Sequence, residues 1–199
     1  MRKAGLKISP IELRGNWDRG WALEYHTLSS RYDRAARHYK TERTELGEAI
    51  YRLKYKKRWW HAESIARTAS RFLLENNIAG QIDMIATIPP ARFRLLFQPV
   101  NLIASKIGKI LGKPVDTRLF NRTRKIPPVK FMEDRSERSK AVKGLFALRK
   151  RAISGKSILI FDDLYRSGMT LREAAATLKA DGRISRIIVL TVTKTRVNR

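Results

Sequence analysis

The residues best equipped for chemistry are Asp162 and Asp163, two adjacent carboxylates at the end of the apolar run Ile158-Leu159-Ile160-Phe161. Leu164-Tyr165-Arg166 follows, then Ser167, Gly168, Met169 and Thr170, where a helical pattern begins. An apolar run without alternation is what a central parallel strand, covered on both faces, requires. Ligands of open α/β sheets bind beyond the carboxyl ends of such strands. Like charges side by side are costly unless something binds them, and ribose hydroxyls with a hydrated magnesium ion (Mg2+) would do so. Free amides at a helix start, beside a permissive glycine, favour phosphate. The stretch thus pairs an acidic grip for sugar and metal, at Asp162 and Asp163, with a phosphate cradle at Arg166, Ser167, Gly168, Met169 and Thr170. A plainer reading stands beside it. The acids then close an ordinary strand, and Thr170 with Glu173 forms only a capping box.

A second cluster joins cations to aromatic rings: Lys54, Tyr55, Lys56, Lys57, Arg58, Trp59 and Trp60. Stacking platforms beside phosphate-neutralising charges suit single-stranded nucleic acid. Equally, Trp59 and Trp60 could seed helix packing while the cations are solvated. Arg124 and Lys125 lie in a polar, basic, Pro-containing stretch, 121–144. They are candidates for the same nucleic-acid surface and for a mobile loop that closes over the acids. His26, His38 and His61 have no ligand spacing and read as ordinary surface or hydrogen-bonded histidines.

Elements must position these residues. Trp17–Leu23 reads as strand–turn–strand with Gly20 near the bend, and residues 29–43 read as an exposed loop. Leu46, Ala49, Ile50 and Leu53 define one helical face, with Thr44 as its cap. Ile65, Ala66, Ala69, Phe72 and Leu73 define a second, ending near Asn76-Asn77. Asp83–Ile88 reads as a strand. Pro99 opens a helix with Val100, Ile103, Ala104, Ile107 and Leu111 inward, stopped by Gly112 and Pro114. Val115–Phe120, Leu145–Leu148, Ser157–Phe161 and Arg186–Thr193 complete the strands, with a helix over Thr170–Ala180. Strands separated by helices imply a parallel sheet with right-handed crossovers.

Composition bounds the rest. The 199 residues, 43% hydrophobic, suffice for one α/β domain with an appendage. No cysteine is present, which removes disulfides, thiolate zinc sites and cysteine nucleophiles. With Lys+Arg 43 against Asp+Glu 18, the net charge of +25 draws polyanions and makes their binding salt-dependent. Nothing resembles a signal peptide or a membrane span, so a cytoplasmic address is expected.

The string from Ile158 to Thr170 resembles the phosphoribosyl-pyrophosphate motif of type I phosphoribosyltransferases. Residues 44–195 resemble the ComF family within that superfamily, proteins linked to bacterial DNA uptake. Lys54-Tyr55 is similar to the family's lysine–tyrosine pair. Ile85–Arg92 is similar to its strand and Pro-x-Pro-type loop. Phe97–Val100, Arg122-Thr123-Arg124, Arg138, Gly144 with Phe146, Gly155-Lys156 and Thr193–Thr195 match further family segments. The resemblance implies an α/β fold with a parallel sheet flanked by helices and a small N-terminal β/α subdomain. Residues 1–43 would form a β-hairpin and loop appendage, a hood or lid, and residues 44–199 the phosphoribosyltransferase-like domain. It implies binding of phosphoribosyl pyrophosphate or another phosphorylated ribose with magnesium. Asp162 and Asp163 would be catalytic and hold the metal largely through water. Pro90, Ala91 and Arg92, helped by Arg94, would face pyrophosphate, and Lys130 would join Arg124 and Lys125 in a closing loop. It also points to DNA, a DNA helicase or the uptake machinery as partners. Three departures are visible. Arg166 replaces the usual Thr or Ser, the four-cysteine zinc module of many ComF proteins is missing, and the pyrophosphate loop carries adjacent prolines that donate no amide. The competing expectation is a non-catalytic nucleic-acid-binding protein that keeps the pocket as a sensor or a relic.

Overall fold

The computed structural model describes residues 5–34, 37–90, 98–126, 140–149 and 153–196. The strands are β1 (Ile11–Glu12), β2 (Arg19–Tyr25), β3 (Thr27–Asp33), β4 (His38–Arg43), β5 (Met84–Thr87), β6 (Val115–Asp116), β7 (Phe120–Arg122), β8 (Phe146–Leu148), β9 (Ser157–Tyr165) and β10 (Arg186–Lys194). The helices are α1 (Glu45–Tyr55), α2 (His61–Glu75), α3 (Pro99–Leu111) and α4 (Met169–Ala180). Helix starts and stops follow local chemistry. Thr44 accepts from Gly47 N at the start of α1, Pro99 opens α3, and Gly112 ends it at φ 64°.

Six strands form one sheet in the order β1-β2-β10-β9-β5-β6. Every pairing is parallel except β1 with β2, so this is a mixed, mostly parallel α/β sheet. Both faces are covered. Helices α1, α2 and α3 pack Leu53, Ile65, Leu73 and Ile107 against Leu23, Ile85, Leu159, Phe161 and Leu190. Helix α4 packs Leu171, Ala174 and Leu178, with Trp17 and Phe146, against Ala86, Ile158, Ile160 and Val189. Burying each large apolar side chain this way contributes about 1.5–3 kcal/mol.

The winding sets where a ligand can sit. From β5 the chain crosses by α3 to β6, outward on one side. From β9 it crosses by α4 to β10, outward on the other. Right-handed crossovers running in opposite directions put their helices on opposite faces, as α3 and α4 are. The carboxyl ends of β5 and β9 therefore flank the switch point, where the diverging connections leave a crevice.

Several expectations need correction. Gly20 lies inside β2 rather than at a bend, and the Trp17 indole packs where its side chain would be, donating to Leu13 O at 2.8 Å. Within the expected loop 29–43, residues 29–33 and 38–43 are instead paired antiparallel as β3 and β4, an exposed pair with too few apolar residues to show sustained alternation. Strand β2 is hydrogen-bonded beside β10 in the main sheet, whereas β3–β4 forms a two-stranded sheet of its own. Val115–Phe120 splits: β6 joins the main sheet, while Phe120 begins β7, which pairs with β8. The stretch 121–144 includes part of β7, and its residues 127–139 lie outside the described ones. Strand β9 does not stop at Phe161 but runs on through both acids to Tyr165, because β10 pairs with it over that length.

Candidate functional site

Because Asp162 and Asp163 lie within β9, their side chains leave on opposite faces of the sheet. Asp163 shares the face of Leu159 and Phe161, under α1. It is 7% exposed, and its carboxylate is ion-paired with Lys54 Nζ from α1. Burial opposes the Lys54 charge, but the attraction and hydrogen bond of Asp163 outweigh it and raise the ammonium's pKa. Asp162 lies on the α4 face, with Ile158 and Ile160. Burial first, then the neighbouring Asp163 charge, push its pKa up from 3.8 to about 7, against the Asp163 amide, Lys54 and Arg122. That amide donates to Asp162 Oδ1 at 2.9 Å. Beside Asp162 on β10 stands Thr191, whose buried Oγ1 has no hydrogen-bond partner among the described residues.

The chain then turns through exposed Arg166 and Ser167 into Gly168, at φ 73°. A Cβ at Gly168 would collide with the Tyr165 phenol, so the left-handed bend and the close ring both require glycine. Gly168 is the N-cap of α4. No side chain caps this helix and no acid occupies its first turn, whereas α1 begins with the Thr44 cap and carries Glu45 and Glu48. The first amides of α4, at Met169 and Thr170, thus form an uncompensated positive end. The capping-box reading fails here. Thr170 is already inside the helix, and Glu173 Oε1 accepts from Gly144 N at 2.6 Å.

Across the crevice, β5 delivers Thr87, which donates to Asn101 Oδ1 at 2.8 Å, and then Pro89 and exposed Pro90. Arg122 of β7 aims Nε and Nη2 at Pro89 O, both at 3.2 Å. Its guanidinium lies 5.4 Å from the Phe146 ring centre, and burial lowers its pKa against the opposing pull of Asp162. Ala91, Arg92, Arg94, Lys130 and Arg138 lie outside the described residues.

The basic–aromatic cluster forms the bend between α1 and α2. Tyr55, Trp59 and Trp60 are 63%, 45% and 56% exposed, and Lys56, Lys57 and Arg58 are exposed beside them. Arg58 lies over the Trp60 ring at 5.1 Å. The tryptophans do not seed the packing of the two helices, which rests on Leu53, Ala62 and Ile65. Lys54 leaves this surface for Asp163. Arg124 donates to Ala141 O at 3.2 Å and Lys143 O at 2.7 Å, bracing its own loop, while Lys125 is exposed.

Sequence reasoning thus missed Lys54, Arg122 and Thr191 as neighbours of the acid pair. Only Lys54 left a signal: it stands four residues beyond Ile50 on α1, at the margin of the buried stripe. Among the described residues no group of three or more His, Asp or Glu could hold a metal ion, and no helix is long and apolar enough to cross a membrane.

No family model and no curated protein matches this sequence. Among solved structures, the chain aligns with UMP synthase of Leishmania donovani at 18% identity and a TM-score of 0.39, over 81% of this chain. It spans only 28% of that protein's length. It also aligns with TT1426 from Thermus thermophilus at 12% identity and a TM-score of 0.41, over 69% of this chain and 85% of that one.

Proposed function

We propose that the crevice binds a phosphorylated ribose, phosphoribosyl pyrophosphate foremost, and that the chain is a ComF-like phosphoribosyltransferase. The observation that carries this reading is one juxtaposition. At the switch point of the sheet, Asp162 and Asp163 stand directly before the uncapped amide end of α4, entered through Gly168.

Each part has a task. The amides after Gly168, with Ser167, Thr170 and the Arg166 cation, hold the 5′-phosphate. Asp162 accepts hydrogen bonds from ribose hydroxyls, and Asp163, fixed by Lys54, sets the strand end that presents it. Pyrophosphate faces the loop after β5, where Arg122 braces the Pro89 carbonyl. Catalysis is then positioning plus stabilisation of charge on the leaving group. The donor set fits magnesium that keeps its water shell, because Asp163 is ion-paired with Lys54 while Asp162 makes no ion pair among the described residues. Asp162, and Asp163 through water, would hold the metal, which when bound neutralises the leaving pyrophosphate.

Calorimetry with phosphoribosyl pyrophosphate and magnesium tests this. The wild type should give binding heat that the Asp162→Asn/Asp163→Asn double variant loses. Equal heats from both, or none from the wild type, would sink the proposal.

A second reading has its own observation, the exposed rings and cations of the α1–α2 bend. There the chain would bind single-stranded nucleic acid and use the pocket as a sensor or keep it as a relic, in company with a DNA helicase or the uptake machinery. Affinity for single-stranded DNA should then fall steeply between low and physiological salt. Salt-insensitive or absent binding counts against it.

A further inference from the structure

His26 follows β2 at the carboxyl end of the strands, the end at which β9 carries the acid pair. Its Nδ1 lies 3.2 Å from Thr193 Oγ1, and that hydroxyl lies 3.3 Å from the backbone oxygen of Asp163. A carbonyl can only accept, so the single hydroxyl proton points to Asp163 O. Thr193 Oγ1 must then accept from His26 Nδ1–H, which leaves the lone pair of the neutral ring on Nε2. Among the described residues none hydrogen-bonds Nε2. Burial lowers the imidazole's pKa, as do Arg43 of β4, Lys54 of α1 and Arg166 of the loop, against the opposing charge of Asp163. At the carboxyl ends of the strands the chain therefore carries an imidazole whose charged form is disfavoured, with Nδ1 on Thr193 and Nε2 facing no partner among the described residues.

Its position in the sheet gives that atom a role. The order runs β2-β10-β9-β5. In the function proposed above, on which this inference rests, ribose sits at the end of β9 and pyrophosphate leaves toward β5. Displacement at a sugar carbon brings the incoming group to the face opposite the leaving group. That side is the end of β10 and β2, where His26 stands.

We propose that the acceptor enters at the ends of β2 and β10 and that His26 Nε2 takes its proton. The acceptor nitrogen forms a bond to C1 of the ribose. The C1–O bond to pyrophosphate breaks, and its electron pair leaves with pyrophosphate. The N–H proton passes to Nε2 and from the imidazolium to solvent after release. A nitrogen that attacks C1 and yields its proton to Nε2 belongs to a neutral or anionic molecule carrying an acidic N–H.

Three measurements on the full chain test this. In the free protein, nitrogen NMR should show His26 protonated on Nδ1 and bare on Nε2; the opposite tautomer overturns the assignment. Calorimetry should give His26→Gln the same affinity for phosphoribosyl pyrophosphate and magnesium as the wild type. Pyrophosphate release in a single turnover, with water, adenine, uracil or orotate as nucleophile, should slow about 100-fold in His26→Gln. Intact binding with an unchanged rate, or with no release from the wild type by any of these nucleophiles, overturns the role of His26 and leaves the binding function standing. Absence of binding by the wild type removes both.

Discussion

Lys54 on α1 and Asp163 on β9 are joined as a nearly buried ion pair, with the two side chains 31% and 10% exposed. The pair ties the helix that leads into the aromatic bend to the strand that carries the acids. It also separates the two carboxylates by function: one is matched by a lysine, the other titrates near neutrality.

Removing one partner leaves the other charge buried. Lys54→Met should lower stability by about 3 kcal/mol, read from urea unfolding, while Lys54→Met/Asp163→Leu recovers most of that loss. A single variant as stable as the wild type would show that the pair is solvated.

Asp162 makes stability depend on pH in the less common direction. Its folded pKa, about 7, lies above the ordinary 3.8, so the folded state binds more protons between those values. Its contribution is most favourable below about pH 4 and falls as pH rises to about 7, by at most about 1.4 kcal/mol per pH unit. Asp162→Asn should match the wild type near pH 4 and exceed it in Tm at pH 8. A constant difference across that range would contradict the assignment.

Gly168→Ala forces a side chain into a left-handed bend and against the Tyr165 phenol. It should cost about 1–3 kcal/mol in thermal unfolding and weaken phosphoribosyl pyrophosphate about tenfold or more. Gly182, also at positive φ but with open space around it, is the control: Gly182→Ala should cost stability and leave affinity unchanged.

Arg122 holds the Pro89 carbonyl with two donors. An ammonium cannot reproduce that fork, so Arg122→Lys should weaken phosphoribosyl pyrophosphate nearly as much as Arg122→Ala, about tenfold by calorimetry. Full recovery by lysine would mean that only the charge matters.

In the α1–α2 bend, Trp60→Ala should cut affinity for single-stranded DNA by about 1–3 kcal/mol without changing its salt slope, because stacking is uncharged. Lys57→Ala should instead reduce that slope. Fluorescence anisotropy at several salt concentrations separates the two effects.

What could be read from the sequence was what local chemistry dictates. The unbroken apolar run of β9, the Thr44 cap, the Pro99 start and Gly112 stop of α3, and the inward faces of α1 and α2 all announce themselves over a few residues. The uncapped entry to α4 was legible in Gly168 and its neighbours. What could not be read depends on partners far along the chain. Strand β2 is parallel to β10, and nothing within Arg19–Tyr25 names that neighbour. Strand β9 continues through its acids because β10 offers partners there, although a run ending at Phe161 suggests otherwise. The β3–β4 hairpin is exposed and carries only Leu28, Tyr32 and Tyr39 among polar residues, so no sustained period of two marks it. Lys54 sits among other cations; its place at the margin of the buried stripe sets it apart, but only the packing of α1 on the sheet names Asp163 as its partner.

The place of β2 sets an order for the molecule's birth. Among the described residues its only parallel neighbour is β10, the last of their strands in sequence, which stands between it and β9. As the chain leaves the ribosome, Arg19–Tyr25 must therefore wait until Arg186–Lys194 has emerged and docked. Until then Trp21 and Leu23 lack the strand that shelters them, and the nascent chain is most open to chaperones and to self-association in that interval.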